Sequence, residues 1–475
     1  MKYLFAIFFV LVCVTASAQF ISIEVKSDST HNTKEALKLG DRVRINEIKL
    51  FGNKVTRRAI ILRELSLLEG QTIQSDSLDI FLELNRKRLM NLPLFTDVNL
   101  YLDKLDDSTV NWDIRVKEQW YLMPEVAFQL ADRNFNVWWT EQNRDIRRAN
   151  IRLTLKDRNF RGNMESLAAT VQIGYTQKFA LDYFKPYVDR NQKHGVGASF
   201  SLARNEETFF KTDSNKLKFV RVPKSYITRQ VEGAVSYVYR PGYSTRHLFE
   251  LRYKDWQIND TIVKLNSDYL QDAEKRLKML QLLYRLEINK VDNWNYPMEG
   301  YKIINYTVLR RGFEGMKFQA YVQTESGYFK KFGKRWYTSN ILRGRLTTPE
   351  DQPYILRNAL GTQSEYVRGY EYYVIDGSQY GLLRNNIKFE ALNIKIRDLP
   401  LKYLPVIPLR IYPKIYADFG YVRNKFEGNS YLNNRWLGGY GAGVDIVTAY
   451  DLKIRVEYTW NHLGEKGLFL HLDAE

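Results

Sequence analysis

The run "DLKIRVEYTW", residues 451–460, sets Leu452, Ile454, Val456, Tyr458 and Trp460 on one side and Lys453, Arg455, Glu457 and Thr459 on the other. Alternation with period two reads as a strand with one apolar and one charged face. "NIRLTLK" (150–156) and "LYRLEIN" (283–289) repeat it, "IKFEA" (387–391) does so briefly, and Arg240-Pro241-Gly242 and Arg311-Gly312 supply turns between such runs. A soluble half-buried strand shows the same alternation, but charged inward faces repeated along residues 119–475 would ruin a dry core. They suit a wall between lipid and a wet lumen. At ~22 residues per strand and connection, about 16 antiparallel strands fit, an even number as in bacterial barrels. The pattern predicts a transmembrane β-barrel over 119–475.

Other features agree with an exported membrane chain. Residues 1–18, "MKYLFAIFFVLVCVTASA", have one lysine, an apolar run and a small-residue ending, so a signal peptide cut after Ala18 is expected. A lipoprotein signal acylated at Cys13 is the alternative; Val12 is a poor match for the small residue it needs. Cys13 is the only cysteine, so the mature chain relies on burial or on a membrane instead of disulfides. Beyond the signal no apolar run is long enough for a spanning helix. Aromatic residues make up 14% of the chain, with 33 tyrosines, as interfacial girdles would require. The polar segment 19–40 and residues 41–118 are each charge-balanced, so nearly all of the +17 formal charge lies in 119–475. Export argues against nucleic acid as a partner. A basic surface facing anionic headgroups, or a basic lumen, accounts for the excess.

Residues 41–118 read as a small separate domain of order β-α-α-β-β. "VRINEIKL" (43–50) alternates Val43 and Ile45, then Ile48 and Leu50, with one slip near Glu47. Thr56 suits an N-cap for a short helix carrying Ile60, Ile61 and Leu65, and Gly70 breaks the chain after it. A second helix, capped by Ser75 or Asp76, gathers Leu78, Phe81, Leu82 and Leu89 on one face. Strands "VNLYL" (98–102) and "VNWDIRV" (110–116) follow.

This stretch resembles a POTRA domain throughout. "INEIKLFGNKVTRRAI", "LLEGQTI" and "NLPLFTDVNLYL" carry the likeness, with Gly52, Gly70, Phe95 and Val98 at the family's offsets. In POTRA domains the second strand lies at the sheet edge. The resemblance therefore implies that Val98, Asn99, Leu100, Tyr101 and Leu102 can take an extended peptide by β-augmentation, or stay as a solvated edge. The rest of the chain resembles the BamA/TamA outer-membrane assembly family, also called bacterial surface antigens. "DRNFRGNMESLAATVQIG", "DYFKPYV", "VDNWNYPMEGYKI", "SEYVRGYEYY" and "KIYADFGYV" occur in that family's order.

The fourth of these motifs lies in a connection of roughly 35 residues, between strand-like sequence ending near Leu346 and resuming near Leu382. Connections of that length are functional or disordered, and the tyrosines argue against disorder. Tyr366 and Tyr370 flank Arg368 and can cradle it, while Gly369 permits a tight bend. By its chemistry alone Arg368 could equally be an exposed loop charge. The resemblance implies that the loop folds into the barrel and that the Val367-Arg368-Gly369-Tyr370 motif locks through Arg368 onto the lumenal Asp418.

The same resemblance implies an outer-membrane insertion or translocation factor of a Gram-negative bacterium, its POTRA domain in the periplasm. Its partners would be outer-membrane lipids, unfolded outer-membrane or secreted clients and accessory periplasmic or lipoprotein subunits. A lateral seam between the first and last barrel strands is expected at Phe128, Gly464, Gly467 and Phe469, weakened by the glycines. A two-partner-secretion-type exporter and an anion-selective porin with a basic lumen are the alternatives. Only one POTRA domain is present, and the chain ends in Glu475 where barrels commonly end in an aromatic residue. No enzyme, cofactor or metal site is expected: His31, His194, His247, His462 and His471 are scattered, and no nucleophile or phosphate-loop motif occurs.

Overall fold

The computed structural model describes residues 40–471 apart from 190, 224, 363–364, 398–405, 427–429 and 449–451. The expected signal peptide (1–18), the segment 19–39 and the acidic end 472–475 lie outside the described residues.

The first domain comprises β1 (Arg42–Phe51), α1 (Arg58–Leu62), β2 (Thr72–Gln74), α2 (Leu78–Met90), β3 (Phe95–Lys104) and β4 (Thr109–Glu118). Its sheet has the order β2-β1-β4-β3. The expected five elements are present with one addition. Strand β2 pairs Thr72–Gln74 with Arg42–Arg44, and three residues are too few to show an alternation in sequence. In β1, Val43 and Ile45 are buried and then Ile48, so the phase slips beside Glu47 as the pattern indicates. Helix α1 is shorter than its apolar residues suggest. Its N-cap position is Arg57, without a side-chain cap, and the expected cap Thr56 instead has its backbone N–H held by Glu118 Oε1 at 2.6 Å. In α2, Leu78, Phe81 and Leu89 are buried, and the Phe81 ring lies 5.2 Å from that of the fully buried Trp112. Strand β3 is an edge strand, so Val98–Leu102 lie on an edge, with Val98 turned inward and Asn99 and Tyr101 exposed.

The remaining chain forms the barrel, beginning with β5 (Leu122–Leu130), the short α3 (Phe135–Thr140), β6 (Ala149–Phe160), β7 (Glu165–Gly174), β8 (Thr176–Lys185) and β9 (His194–Asn205). A hairpin of β10 (Glu207–Asp213) and β11 (Lys216–Arg221) forms a separate two-stranded sheet. The wall continues with β12 (Thr228–Tyr239), β13 (Thr245–Ile258), α4 (Asp260–Leu265) in a connection, β14 (Arg276–Val291), β15 (Gly300–Gly312), β16 (Gln319–Lys331) and β17 (Trp336–Thr348). After it come the small pair β18 (Asn358–Leu360) and β19 (Ile375–Asp376). The wall then resumes with β20 (Gln379–Phe389), β21 (Leu392–Arg397), β22 (Val406–Arg423), β23 (Trp436–Val447), β24 (Lys453–Asn461) and β25 (Lys466–His471). The sheet closes on itself, with the last strand β25 next to the first, β5. Strands β20 and β21 both pair with β22, one after the other along its length. They share one wall position, so the 17 strands of the closed sheet occupy 16 positions among the described residues. Closure leaves no sheet edge within the bilayer, and that is what lets strands cross it.

Side chains alternate across the wall as "DLKIRVEYTW" predicts. Val456, Tyr458 and Trp460 are exposed on the outside, and Lys453, Arg455, Glu457 and Thr459 are buried inside. The tyrosines do not all serve as girdle: Tyr237, Tyr301, Tyr328 and Tyr440 face out, whereas Tyr354, Tyr370, Tyr380, Tyr412 and Tyr416 are buried. Leu251, Leu282 and Leu309 are register partners on three adjacent strands and all face outward, marking an apolar band. Leu282→Arg on that band is expected to cost about 2–4 kcal/mol in lipid. Denaturant unfolding of the protein in vesicles reads this loss; an unchanged midpoint would place Leu282 away from the hydrocarbon.

Candidate functional site

The connection between β17 and β20, residues 349–378, is buried at most of its described positions, unlike a surface loop. Ala359, Leu360, Val367, Tyr370, Tyr373 and Ile375 pack with Tyr380 and Leu382 of β20, Val422 of β22 and Leu437 of β23. Its tip is held by polar contacts. The Arg368 guanidinium donates from Nε to Asp418 Oδ2 at 2.8 Å, from Nη2 to Asp418 Oδ1 at 2.5 Å and from Nη1 to Asn386 Oδ1 at 2.8 Å. Nη1 also meets Glu457 Oε1 at 3.2 Å, and the Arg368 backbone N–H donates to Asp418 Oδ2 at 3.1 Å. The side chains of Arg368, Asp418 and Glu457 are each 0% exposed.

Backbone shape makes this approach possible. Gly369 has φ +91°, the left-handed region, and turns the chain immediately after Arg368. Across from it, a Cβ on Gly439 of β23 would collide with the Arg368 carbonyl oxygen, so only glycine lets the loop lie this close to the wall. Val367 is buried beside Gly420, the other glycine of the cradle.

One expectation about this loop needs correction. The tyrosines flanking Arg368 do not cradle it. Tyr416 of β22 does, with its ring centre 3.8 Å from the guanidinium carbon. Tyr366 lies over Arg384 and stacks on His471, and Tyr370 contacts Tyr373 and His462. The chain turns at Arg368 and Gly369, so the residues two before and two after lose the common side an extended segment would give them, and the cradle comes from the wall. Beside the loop, inward-facing basic and acidic side chains lie in contact. Lys414 Nζ lies 2.6 Å from Asp445 Oδ1 and 2.8 Å from Glu457 Oε1, with Lys388 Nζ 3.6 Å from Asp445 Oδ2. Tyr296 donates to Asp445 Oδ2 at 2.8 Å, which closes a network across β20, β22, β23 and β24. The inward charges pair with one another. Asn386, Tyr416, Glu457, Lys414 and Asp445 were not singled out from the sequence as partners of Arg368. Glu457 was visible on an inward face, but which inward groups meet the loop depends on barrel closure.

The seam residues are distributed differently from expectation. Phe128 faces out and is exposed, whereas Phe469 is buried and faces the lumen, its ring 5.6 Å from that of Tyr372. Alternation in β25 sends Leu468 and Leu470 outward, so Phe469 turns inward against the loop. Gly467 is in β25, and a Cβ there would meet the Phe469 ring at 2.9 Å; Gly464 is in the preceding turn, not in the strand. Further contacts tie the loop to these strands. Asn461 Nδ2 donates to Gly369 O at 2.8 Å, Tyr373 Oη to Glu465 Oε1 at 2.7 Å, and His471 Nε2 lies 3.4 Å from Glu457 Oε2. Glu371 Oε2 accepts from the Gly369 N–H at 2.7 Å.

Removing one member of a buried, hydrogen-bonded ion pair costs about 3–5 kcal/mol, because the other charge is left unpaired. Arg368→Ala and Asp418→Ala are each expected to loosen the seated loop and lower resistance to heat. The double variant should be less damaging than the sum of the two, and full additivity in that cycle would refute the pairing. Burial lifts the Glu371 carboxyl, in the loop itself, from an ordinary 4.5 to about 8. A raised value favours the seated loop fully below the ordinary pKa and loses that contribution as pH rises through about 8. Glu371→Gln keeps an acceptor for Gly369 and should flatten the pH dependence of loop protease resistance between about pH 5 and 9. An unchanged profile would remove Glu371 as its source.

Comparison with known proteins places both parts. Residues 43–119 match the family model for POTRA, the surface antigen variable number repeat. No curated protein matches the chain. Among solved structures, BamA from Haemophilus ducreyi lacking POTRA domains 1-3 is similar at 12% identity and a TM-score of 0.53, over 90% of this chain and 83% of that one. CdiB from Escherichia coli is similar at 11% identity and a TM-score of 0.52, over 91% and 74%. CdiB from Acinetobacter baumannii gives 12%, 0.50, 91% and 74%. At such identities the likeness is one of fold. The chain thus joins a POTRA domain to a transmembrane β-barrel of the BamA and CdiB fold.

Proposed function

We propose that the chain is an outer-membrane insertion or translocation factor for polypeptides, working from a Gram-negative periplasm without bond chemistry. The observation that carries this reading is where the inserted loop is anchored. The polar contacts of its tip, Arg368 to Tyr373, fall on β20, β22, β24 and the turn before β25, which lead up to the β25–β5 junction, while its flanks meet Thr212 and Asn215 of the β10–β11 hairpin and Asp268. A loop serving only to narrow a pore has no need of a buried ion pair on the strands beside that junction. A loop that steadies a junction of first and last strands does. In this reading the exposed edge of β3, Val98–Leu102, receives an extended client by β-augmentation, and the β5–β25 junction then opens sideways to pass or template strands. The pairing of Lys414 and Lys388 with Asp445 weighs against an anion-selective porin, because it neutralises the basic groups such a pore would use.

Depletion of the protein is expected to lower the levels of many outer-membrane proteins together, read by quantitative proteomics of that membrane. Loss of a single secreted protein would identify an exporter instead, and a large stable anion-selective conductance in planar bilayers a porin. A disulfide between cysteines placed in Glu125–Phe128 and in Leu468–Leu470 is expected to abolish activity, restored by reductant. Full activity with the crosslink formed would rule out lateral opening.

A further inference from the structure

The connection that follows the first wall strand, residues 131–148, reaches the inserted loop, the last strand and, through Glu141 to Lys216 at 2.7 Å, the β10–β11 hairpin. It lies at the end of the barrel opposite to where the chain enters β5. Its core is a compact aromatic block in and around α3. The Phe135 ring lies 5.8 Å from Trp138 and 5.4 Å from Trp139, the Arg144 guanidinium sits 4.0 Å above Trp139, and the Trp138 indole N–H donates to Asp145 O at 3.0 Å. Asn134 Oδ1 accepts from the Val137 N–H at 2.8 Å and fixes the start of the helix. Such a self-packed surface loop moves as a unit.

On one side this unit grips the inserted loop by its main chain. Arg133 Nη1 donates to Tyr373 O at 2.7 Å and to Gly361 O at 3.0 Å, its Nη2 to Tyr372 O at 3.4 Å, and Asn134 Nδ2 to Glu371 O at 2.8 Å. Burial lowers the Arg133 pKa to about 10, leaving it charged at neutral pH and a strong donor. On the other side, Asn136 Nδ2 donates to the main-chain carbonyl of Leu468 at 2.7 Å. Leu468 belongs to β25, the strand that borders β5 in the closed sheet. A side chain carried by the first strand's own connection thus holds a backbone acceptor of the last strand.

From this geometry we infer that Arg133, Asn134 and Asn136 form a latch that keeps the β5–β25 junction closed while the inserted loop is seated. The inference rests on the lateral-opening reading above and deepens it by naming the residues that govern the junction. The coupling follows from the bond partners. Sliding β25 away from β5 breaks the Asn136–Leu468 bond. Withdrawing the inserted loop removes all four acceptors of Arg133 and Asn134 and leaves α3 held only at Asn136 and through Glu141 to Lys216. The three are positioning residues and touch no client in this account. Main-chain acceptors make the latch insensitive to the side chains of the inserted loop at Gly361, Glu371, Tyr372 and Tyr373, whereas the donors on the connection are specific.

The experiment uses the full chain in nanodiscs, with spin labels on Val126 and Leu470, outward-facing positions in the two bordering strands. Dipolar broadening between the labels reports the closed junction. Asn136→Asp keeps the side-chain shape and removes the donor; it is expected to raise the open fraction several-fold while heat-modifiable gel migration shows an intact barrel. Arg133→Ala should do the same, and Asn136→Asp should add little in that background. Asn136→Gln, which restores an amide donor, should recover part of the closed signal. Unchanged broadening in both Asn136→Asp and Arg133→Ala, with the junction opened by Arg368→Ala, would overturn the latch and leave lateral opening intact. A protein whose crosslinked junction retains full activity would overturn both.

Discussion

A guanidinium with no access to water, held by two carboxylates, an amide and a tyrosine ring, is the constraint on which this barrel's interior depends. Charges are costly to bury, and Arg368 is tolerable only because Asp418, Glu457 and Asn386 take up its donors and Tyr416 covers its face. These partners come from three wall strands, β20, β22 and β24. The pair therefore does more than offset a desolvation cost: it fixes the tip of the loop 349–378 against one arc of the wall. Two backbone features permit it, the left-handed turn at Gly369 and the missing Cβ of Gly439.

From that anchor the organisation of the last strands follows. With Arg368 in place, Gly369 O meets Asn461, Tyr373 reaches Glu465, and Tyr372 covers Phe469. Strand β25 is thus lined on its lumenal side by the inserted loop, and its outward residues Leu468 and Leu470 face the bilayer. The connection after β5 then joins loop and last strand through side-chain donors onto main-chain carbonyls. The closing junction of the barrel is consequently supported from inside and from one end, in addition to its own ladder.

Much of this was legible in the sequence, though unevenly. Alternation in "DLKIRVEYTW" gave the correct inward and outward sets because a strand's side-chain period is two whatever surrounds it. Apolar spacing and turn glycines placed the elements of the first domain, apart from β2, whose three residues carry no readable period. The contact of Arg368 with Asp418 came from family resemblance, since nothing local distinguishes Asp418 from other lumenal carboxylates. The cradle of Arg368 is not legible in its sequence neighbours Tyr366 and Tyr370, because nearness in sequence does not fix nearness in space and Tyr416 of β22 covers it instead. Phe469 lies in β25, at the junction where the seam was expected, and alternation in that strand turns its ring inward.

The sequence by itself determined that the chain has a small α/β domain followed by a two-faced wall, since local periodicity and turn chemistry act over a few residues. It also marked the long connection as functional or disordered by its length, with its tyrosines against disorder; that the loop folds inward came from the resemblance. Only the tertiary structure decided which charges meet. Asp418, Asn386 and Glu457 are separated in the chain and converge only once the sheet has closed at sixteen wall positions and set the register of each strand. The same holds for Asn136 and Leu468, which lie at opposite ends of the barrel sequence and become neighbours because closing a sheet brings its first and last strands together.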